Sequence, residues 1–265
     1  MSSVQQSTAD APLSLRERRR AAASREILEA AERHVTEQGP HALSLRAVAR
    51  GLGMTVQALY HYFPNRDALV TALIAQAYDD LADAVQEAVD GTPEGDAEGD
   101  AEGDADGDAE GDAKVPRLVI ATEGYRRWAI AHPERFQLIF GAPLRHYEAP
   151  VEGPTTQAMR RIGGIFEREM FGGFSREQLE AADVHALSPA LRGHLEGLPQ
   201  SGLGSLPPPA IALLLSAWGH MHGLVVLEVF GHGSFLGGHQ QEIFRLSMRN
   251  MLADIRRRIP GAEAG

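Results

Sequence analysis

The chain has 265 residues, no cysteine and a formal net charge of −11. That length supports one good core or two, and the missing thiols exclude disulfides and thiolate metal sites. The acidic total argues against a nucleic-acid partner, yet ten of the 36 acids fall in one run from Glu94 to Asp112. Without them 26 acids face 25 bases, and Leu13 to Arg66 carries nine arginines against five glutamates. Phosphate binding answers to local charge within a Debye length of about 8–10 Å.

Met1 to Leu13 is rich in Ser, Gln and Ala, lacks a signal-peptide core, and is expected to be disordered. Leu15-Arg-Glu-Arg-Arg-Arg20 reads as a solvated helix start. Ahead of a DNA-binding motif, Arg18, Arg19 and Arg20 become instead an arm for phosphates or the minor groove. Ile27, Leu28, Ala31 and Val35 predict an amphipathic helix over Ser24 to Gln38, ended by Gly39-Pro40. Ser44 then caps a short helix with Leu45, Val48, Ala49 and Leu52 on one face. Gly51 and Gly53 break it, Met54 plugs the turn, and Thr55 caps a second short helix that ends near Tyr62 before Pro64. Helix, glycine turn and second helix make a helix-turn-helix, whose second helix can enter a DNA major groove. It offers Thr55, Val56, Gln57, Ala58, Tyr60 and His61 outward and turns Leu59 inward. Asn65 caps a long helix from Arg66 to about Asp90, with Leu69, Leu73, Ala77, Leu81 and Val85 as its stripe.

The string Ala58-Leu-Tyr-His-Tyr-Phe-Pro-Asn-Arg-Asp-Ala-Leu69 closely resembles the TetR family of bacterial repressors, and the resemblance extends over about Ser24 to Leu81. It implies phosphate contacts at Arg46, Tyr60 and Arg66, and a linking helix from the DNA head to a ligand-binding body. Gln57 is the leading base reader, since glutamine pairs with adenine through two bonds, and Val56 can touch a thymine methyl.

Gly91 to Ala113 is a low-complexity insertion of acidic Gly-Asp-Ala tetrads, read as a solvated loop. An EF-hand reading fails because the bidentate glutamate and flanking apolar helices are out of register. Leu118, Val119, Thr122, Tyr125 and Ala129 predict a helix through Ala131, and Pro133 starts another through Phe140. His132-Pro-Glu-Arg-Phe-Gln-Leu-Ile-Phe140 resembles a connection common in TetR bodies. Gly141 to Pro154 reads as loop, Met159 to Met170 as helix, Ser175 as a cap, and Gly193 to Pro209 resists assignment. Ala210 to Phe230 is long enough to span a membrane. Its His220, His222 and Glu228 are costly in lipid, so it reads as a core helix of a soluble, cytoplasmic chain. Its apolar face is expected to hold Ile211, Leu214, Leu215, Trp218, His222, Val225 and Val229, and Trp218-x-x-x-His222-Gly223 resembles a TetR C-terminal body of Trp-His-Gly type. A last helix runs from about Gln240 to Ile259.

The expected architecture is all-α. A tail (1–14) precedes a three-helix head (15–65), a connecting helix (66–90), the acidic loop (91–114), and a helical-bundle body for ligand and dimer (115–265). Ser44, with the residues named above, completes the expected DNA surface. The resemblance implies a cavity for an apolar or amphipathic effector, with Tyr125, Trp128, Phe136, Phe140, Met159, Phe166, Trp218 and His222 as its lining. Dimerisation is expected through the last two helices, because one short recognition helix makes too few contacts. No cofactor, metal site or catalytic group is expected: His220 and His222 lie two apart on a helix, on different faces. The alternative is a helical small-molecule or partner-binding protein whose head lacks specific DNA recognition.

Overall fold

The computed structural model describes residues 14–91, 115–144, 147–199 and 202–261. Among the described residues there are eleven α-helices and no strand. The tail up to Leu13 and most of the acidic insertion lie outside them.

The head comprises α1 (Leu15–Gln38), α2 (Leu45–Gly51) and α3 (Val56–Tyr60). Ser44 and Thr55 cap α2 and α3 by accepting the backbone N–H three residues on, each at 3.2 Å. Gly53 sits in the turn between them at φ 65°, a conformation that favours glycine. Ile27, Ala31 and Val35 pack with Leu45, Val48 and Leu59 into one core, and Met54 lies against it. Next comes α4 (Arg66–Asp90), 25 residues and about 37 Å long at ~1.5 Å per residue. Its Leu69, Val70 and Leu73 complete the head core, while Leu81, Val85 and Val89 belong to a second core.

That second core is the body: α5 (Arg117–Ala131), α6 (Pro133–Phe140), α7 (Pro154–Phe171), α8 (Arg176–Glu180), α9 (Pro189–Glu196), α10 (Pro208–Val229) and α11 (Gln240–Arg258). α5 crosses α4 closely enough that a Cβ at Gly124 would lie 2.9 Å from the Cβ of Ala88. By length and composition α10 could cross a membrane, but its Ile211, Met221 and Val225 are buried in the body core.

Three expectations change. The amphipathic helix expected over Ser24 to Gln38 begins already at Leu15, so Leu15 to Arg20 is the solvated helix start that the sequence suggested and its arginines ride on α1. Ser14 and Glu17 form a reciprocal capping box, with Ser14 N–H donating to Glu17 at 2.8 Å and Glu17 N–H to Ser14 at 3.3 Å. That local cap starts a helix where no apolar period marks one. The unassigned stretch before α10 contains the end of α9, capped by Ser188 with Pro189 in its first turn, and a 3-10 turn at Gly202–Ser205. Finally, Leu215 leaves the expected inner face of α10 and is 52% exposed. It joins Leu227, Phe230, Ile243 and Leu246 as exposed apolar side chains of α10, its C-cap and α11.

Candidate DNA interface and aromatic cage

The head presents a short helix over a cationic flank. On α3 and its caps, Thr55, Gln57, Tyr60 and His61 are exposed, whereas Leu59 is fully buried. Val56 departs from the expected outward set: three residues before Leu59, it packs against the head core. Ala58 is half-buried as well. Arg46 stands exposed on α2 and makes no ion pair among the described residues. Arg66, expected at phosphates, is half-buried: its Nε donates to the Leu43 carbonyl at 3.2 Å, bracing the approach to α2, and its Nη1 lies 3.9 Å from Asp67. Ser44 is half-buried beside its cap bond.

Of the expected arginines Arg18, Arg19 and Arg20, two converge on α3. Arg16, Arg19 and Arg20 line a cleft of about 520 Å³ with His61 and Tyr62. Arg20 Nη2 donates to the His61 carbonyl at 3.2 Å, tying the start of α1 to the end of α3. Arg18 is exposed but outside this cleft. Arg16 was missed, although its spacing to Arg19 and Arg20 is the i, i+3, i+4 of one helical face.

In the body, a ring cluster surrounds Tyr125 of α5, which is fully buried. Its ring meets Trp218 at 5.5 Å between centroids, Phe166 at 6.2 Å, and Phe136 and Phe140 at 6.3 Å each. Edge-to-face packing of this kind exploits the ring quadrupole. The Tyr125 hydroxyl hydrogen-bonds His222 Nδ1 at 2.8 Å. Trp218, one turn earlier on α10, stacks flat on the same imidazole at 5.7 Å and 8°. Burial holds the His222 imidazole below its ordinary range and pushes the Tyr125 phenol well above its own, so both are neutral near pH 7.

Six of the eight expected lining residues therefore meet. Trp128 does not: it points to the end of α5, edge-on to His132 and 5.8 Å beneath the Arg135 guanidinium, and borders a separate open groove of about 820 Å³. Met159 lies on the outer face of α7, half exposed. Tyr78 of α4 was missed; it packs edge-on to Phe140 at 5.7 Å, and burial pushes its phenol up to about 12. The cage is closed, with an adjoining void of only about 10 Å³ beside Phe166, Trp218 and Met221.

Besides α4, helix α6 touches both cores. From α6, Phe136 and Phe140 enter the ring cluster, while Leu138 and, just beyond the helix, Leu144 join the head core. Tyr147 bonds Thr71 of α4 through their hydroxyls at 3.1 Å. Arg135 of α6 pairs with Glu32 of α1 at 3.0 Å and also with Asp80 of α4.

Both parts have relatives. Residues 27–73 match the family described as bacterial regulatory proteins, tetR family. Residues 118–251, which include Trp218, His222 and Gly223, match the family described as tetracyclin repressor-like, C-terminal domain. Over 205 residues the chain is 31% identical to the HTH-type transcriptional regulator Rv1816 of Mycobacterium tuberculosis, covering 77% of this chain and 80% of that protein. The solved regulatory protein SCO4313 is 28% identical, with a TM-score of 0.65, covering 90% of this chain and 99% of that one. A tetR-family transcriptional regulator from Streptomyces coelicolor, at 15% identity and a TM-score of 0.53 over 89% of this chain and 81% of its own, shares the fold.

Proposed function

Because the chain belongs to the TetR family of bacterial regulatory proteins, we propose that it is a dimeric repressor that leaves its operator when a small molecule enters the aromatic cage. Family membership makes it a DNA-binding transcriptional regulator; the repression, the dimer and the effector are our reading. The observation that carries this reading is the α3 surface. Thr55, Gln57, Tyr60 and His61 are exposed on a helix whose base is locked by Leu59, beside Arg46, Arg16 and Arg19. Gln57 reads a base and Tyr60 with the arginines grips phosphates.

One such head makes few contacts, so two are needed, spaced to half-sites about 34–36 Å apart. The exposed Leu215, Leu227, Phe230, Ile243 and Leu246 supply an apolar surface for a four-helix contact between two copies of α10 and α11. Such a protein works where its operator is, in the cytoplasm, and no catalytic role is assigned to it. Release follows if the effector binds better to a body state whose heads no longer fit both half-sites. α6 is the natural carrier, with its phenylalanines in the cage and Leu138 in the head.

The test is binding of fluorescent DNA from upstream of the protein's own gene, titrated against salt, with random DNA as control. Tight, cooperative, sequence-selective binding is expected. Weak binding that is equal for both DNAs and merely follows salt would overturn the reading and favour a helical small-molecule-binding protein.

A further inference from the structure

The cage also specifies what it takes. Resting on the effector reading above, we propose that its ligand is a neutral, ring-bearing molecule whose hydroxyl group inserts between Tyr125 and His222. Three observations lead there.

The first is charge. The residues in ring contact with Tyr125 are Phe136, Phe140, Phe166, Trp218 and His222, and none carries a permanent charge. Several charged groups on the helices that build the cage are paired with one another or with neighbouring elements. Arg126 pairs with Glu228 at 2.7 Å, and Glu123 and Arg135 have their own partners. The two arginine-over-ring contacts fall on Phe244 and Trp128, outside the cage. A carboxylate, phosphate or ammonium placed here would lose its water without gaining a counter-charge, a penalty that ring faces alone do not offset.

The second is the Tyr125–His222 bond. It is the one side-chain hydrogen bond of the cage among the described residues. With both partners neutral, the tautomer that carries its proton on Nε2 lets the phenol donate to Nδ1 and leaves no buried O–H unmet. A ligand hydroxyl can enter this bond without orphaning either group: it accepts from the Tyr125 O–H and donates to Nδ1. A plain hydrocarbon that splits the pair leaves a buried donor and acceptor unmet. The bond thus selects for a hydroxyl at that point.

The third is the wall. Tyr125 and Phe136 are fully buried, but Trp218 and His222 are only partly so. They lie one turn apart on α10 and stack as a pair. A closed cage with a void of about 10 Å³ must open to admit a ring, and this pair, like Phe140, stands on a side that is only partly buried.

The experiment uses the full chain and isothermal calorimetry at pH 7.5. The probes are phenol, 4-propylphenol and 4-phenylphenol, each against its counterpart lacking the hydroxyl, and 4-phenylphenol also against biphenyl-4-carboxylate and 4-phenylbenzylammonium. At least one phenol should bind about tenfold or more tighter than its hydrocarbon, as one or two neutral hydrogen bonds imply. The two ions should show no heat. Tyr125→Phe and, separately, His222→Phe should each cut the hydroxyl preference and tighten hydrocarbon binding, because no bond is left to break, and the double change should abolish the preference; circular dichroism checks that each variant folds. Binding by none of the phenols, tighter binding of either ion, or a preference that survives both substitutions would overturn the proposal. Upstream DNA present in a parallel assay separates the two readings. A phenol that binds in the cage yet never releases DNA leaves the ligand class standing and sinks the effector role. Release by an ion in place of any phenol does the reverse.

Discussion

The cleft at the foot of α1 makes a quantitative demand on DNA binding. Arg16 and Arg19 lie exposed there with no ion pair among the described residues, while Arg20 is partly engaged with the His61 carbonyl. If Arg16 and Arg19 each meet one phosphate, a dimer neutralises four phosphates through them. Each phosphate contact contributes about 0.9 to the slope of log affinity against log salt. The double change Arg16→Gln, Arg19→Gln should therefore flatten that slope by about 3.6. Between 50 and 200 mM salt, the fall in affinity should shrink by roughly 150-fold. Glutamine is close to arginine in helix propensity, and the Ser14–Glu17 box is untouched, so α1 should persist. The assay is fluorescence anisotropy on operator DNA at five salt concentrations. Arg18→Gln, outside the cleft, is the internal comparison and should move the slope far less. An unchanged slope in the double variant, or equal flattening by Arg18→Gln, would refute the cleft as a phosphate site.

Other expectations follow from the same structure. Leu215→Asp with Leu246→Asp should shift sedimentation from dimer to monomer and weaken operator binding by two orders of magnitude or more, since single heads lose the paired half-site. Thr55→Val, which removes the cap of α3, should cost about 1 kcal/mol in thermal unfolding. Acidification tests the buried imidazoles. Burial depresses both His222 and His132 below the ordinary range, with nearby Arg135 adding to the effect at His132. A histidine kept neutral by the fold contributes stability above its unfolded pKa, near 6.5, and that contribution is lost as the pH falls below it. Melting temperature should thus drop between pH 7 and 5, and His222→Phe should blunt the drop; an unchanged profile would contradict a buried neutral His222.

The elements readable from sequence were those with a strong local signature. Ser44, Gly53, Thr55 and Asn65 mark caps and a turn that depend on a few neighbouring residues, and the stripe of α4 is a plain 3.6-residue period. The first turns of α1 have no apolar period, so their continuity with the helix after Ser24 had to come from the Ser14–Glu17 cap. Val56 misled because a five-residue helix has too few positions to define a face. In the body, aromatic identity alone could not tell Trp128 from Trp218: both are large and half or more buried, but only position relative to Tyr125 decides membership of the cage. Tyr78 was hidden for the same reason, one residue beyond the stripe position Ala77. Leu138 and Leu144 join the head core more than sixty residues after Leu73, its last buried member on α4, and no periodicity encodes such a meeting.

That long-range contact yields the sharpest test of how the parts communicate. Phe140 and Leu138 sit two residues apart on α6, one in the ring cluster and one in the head core, with Arg135 pinning the same helix to α1 and α4. If α6 carries the signal, loosening its head side should spare both end points and damage only their linkage. Arg135→Met removes the bridge to Glu32 and Asp80. Both carboxylates are partly exposed, so the cost in stability should stay near 1 kcal/mol. Operator affinity and ligand affinity, measured separately, should each change by less than about threefold. The ratio of operator affinities with and without ligand should fall by about fivefold or more, since a coupling of 1–3 kcal/mol is what such linkages carry. A cycle pairing Arg135→Met with Phe140→Leu should be non-additive in that ratio, because both act on one helix. Additive effects, or full coupling in Arg135→Met, would mean that α4 alone conveys the body's state to the head.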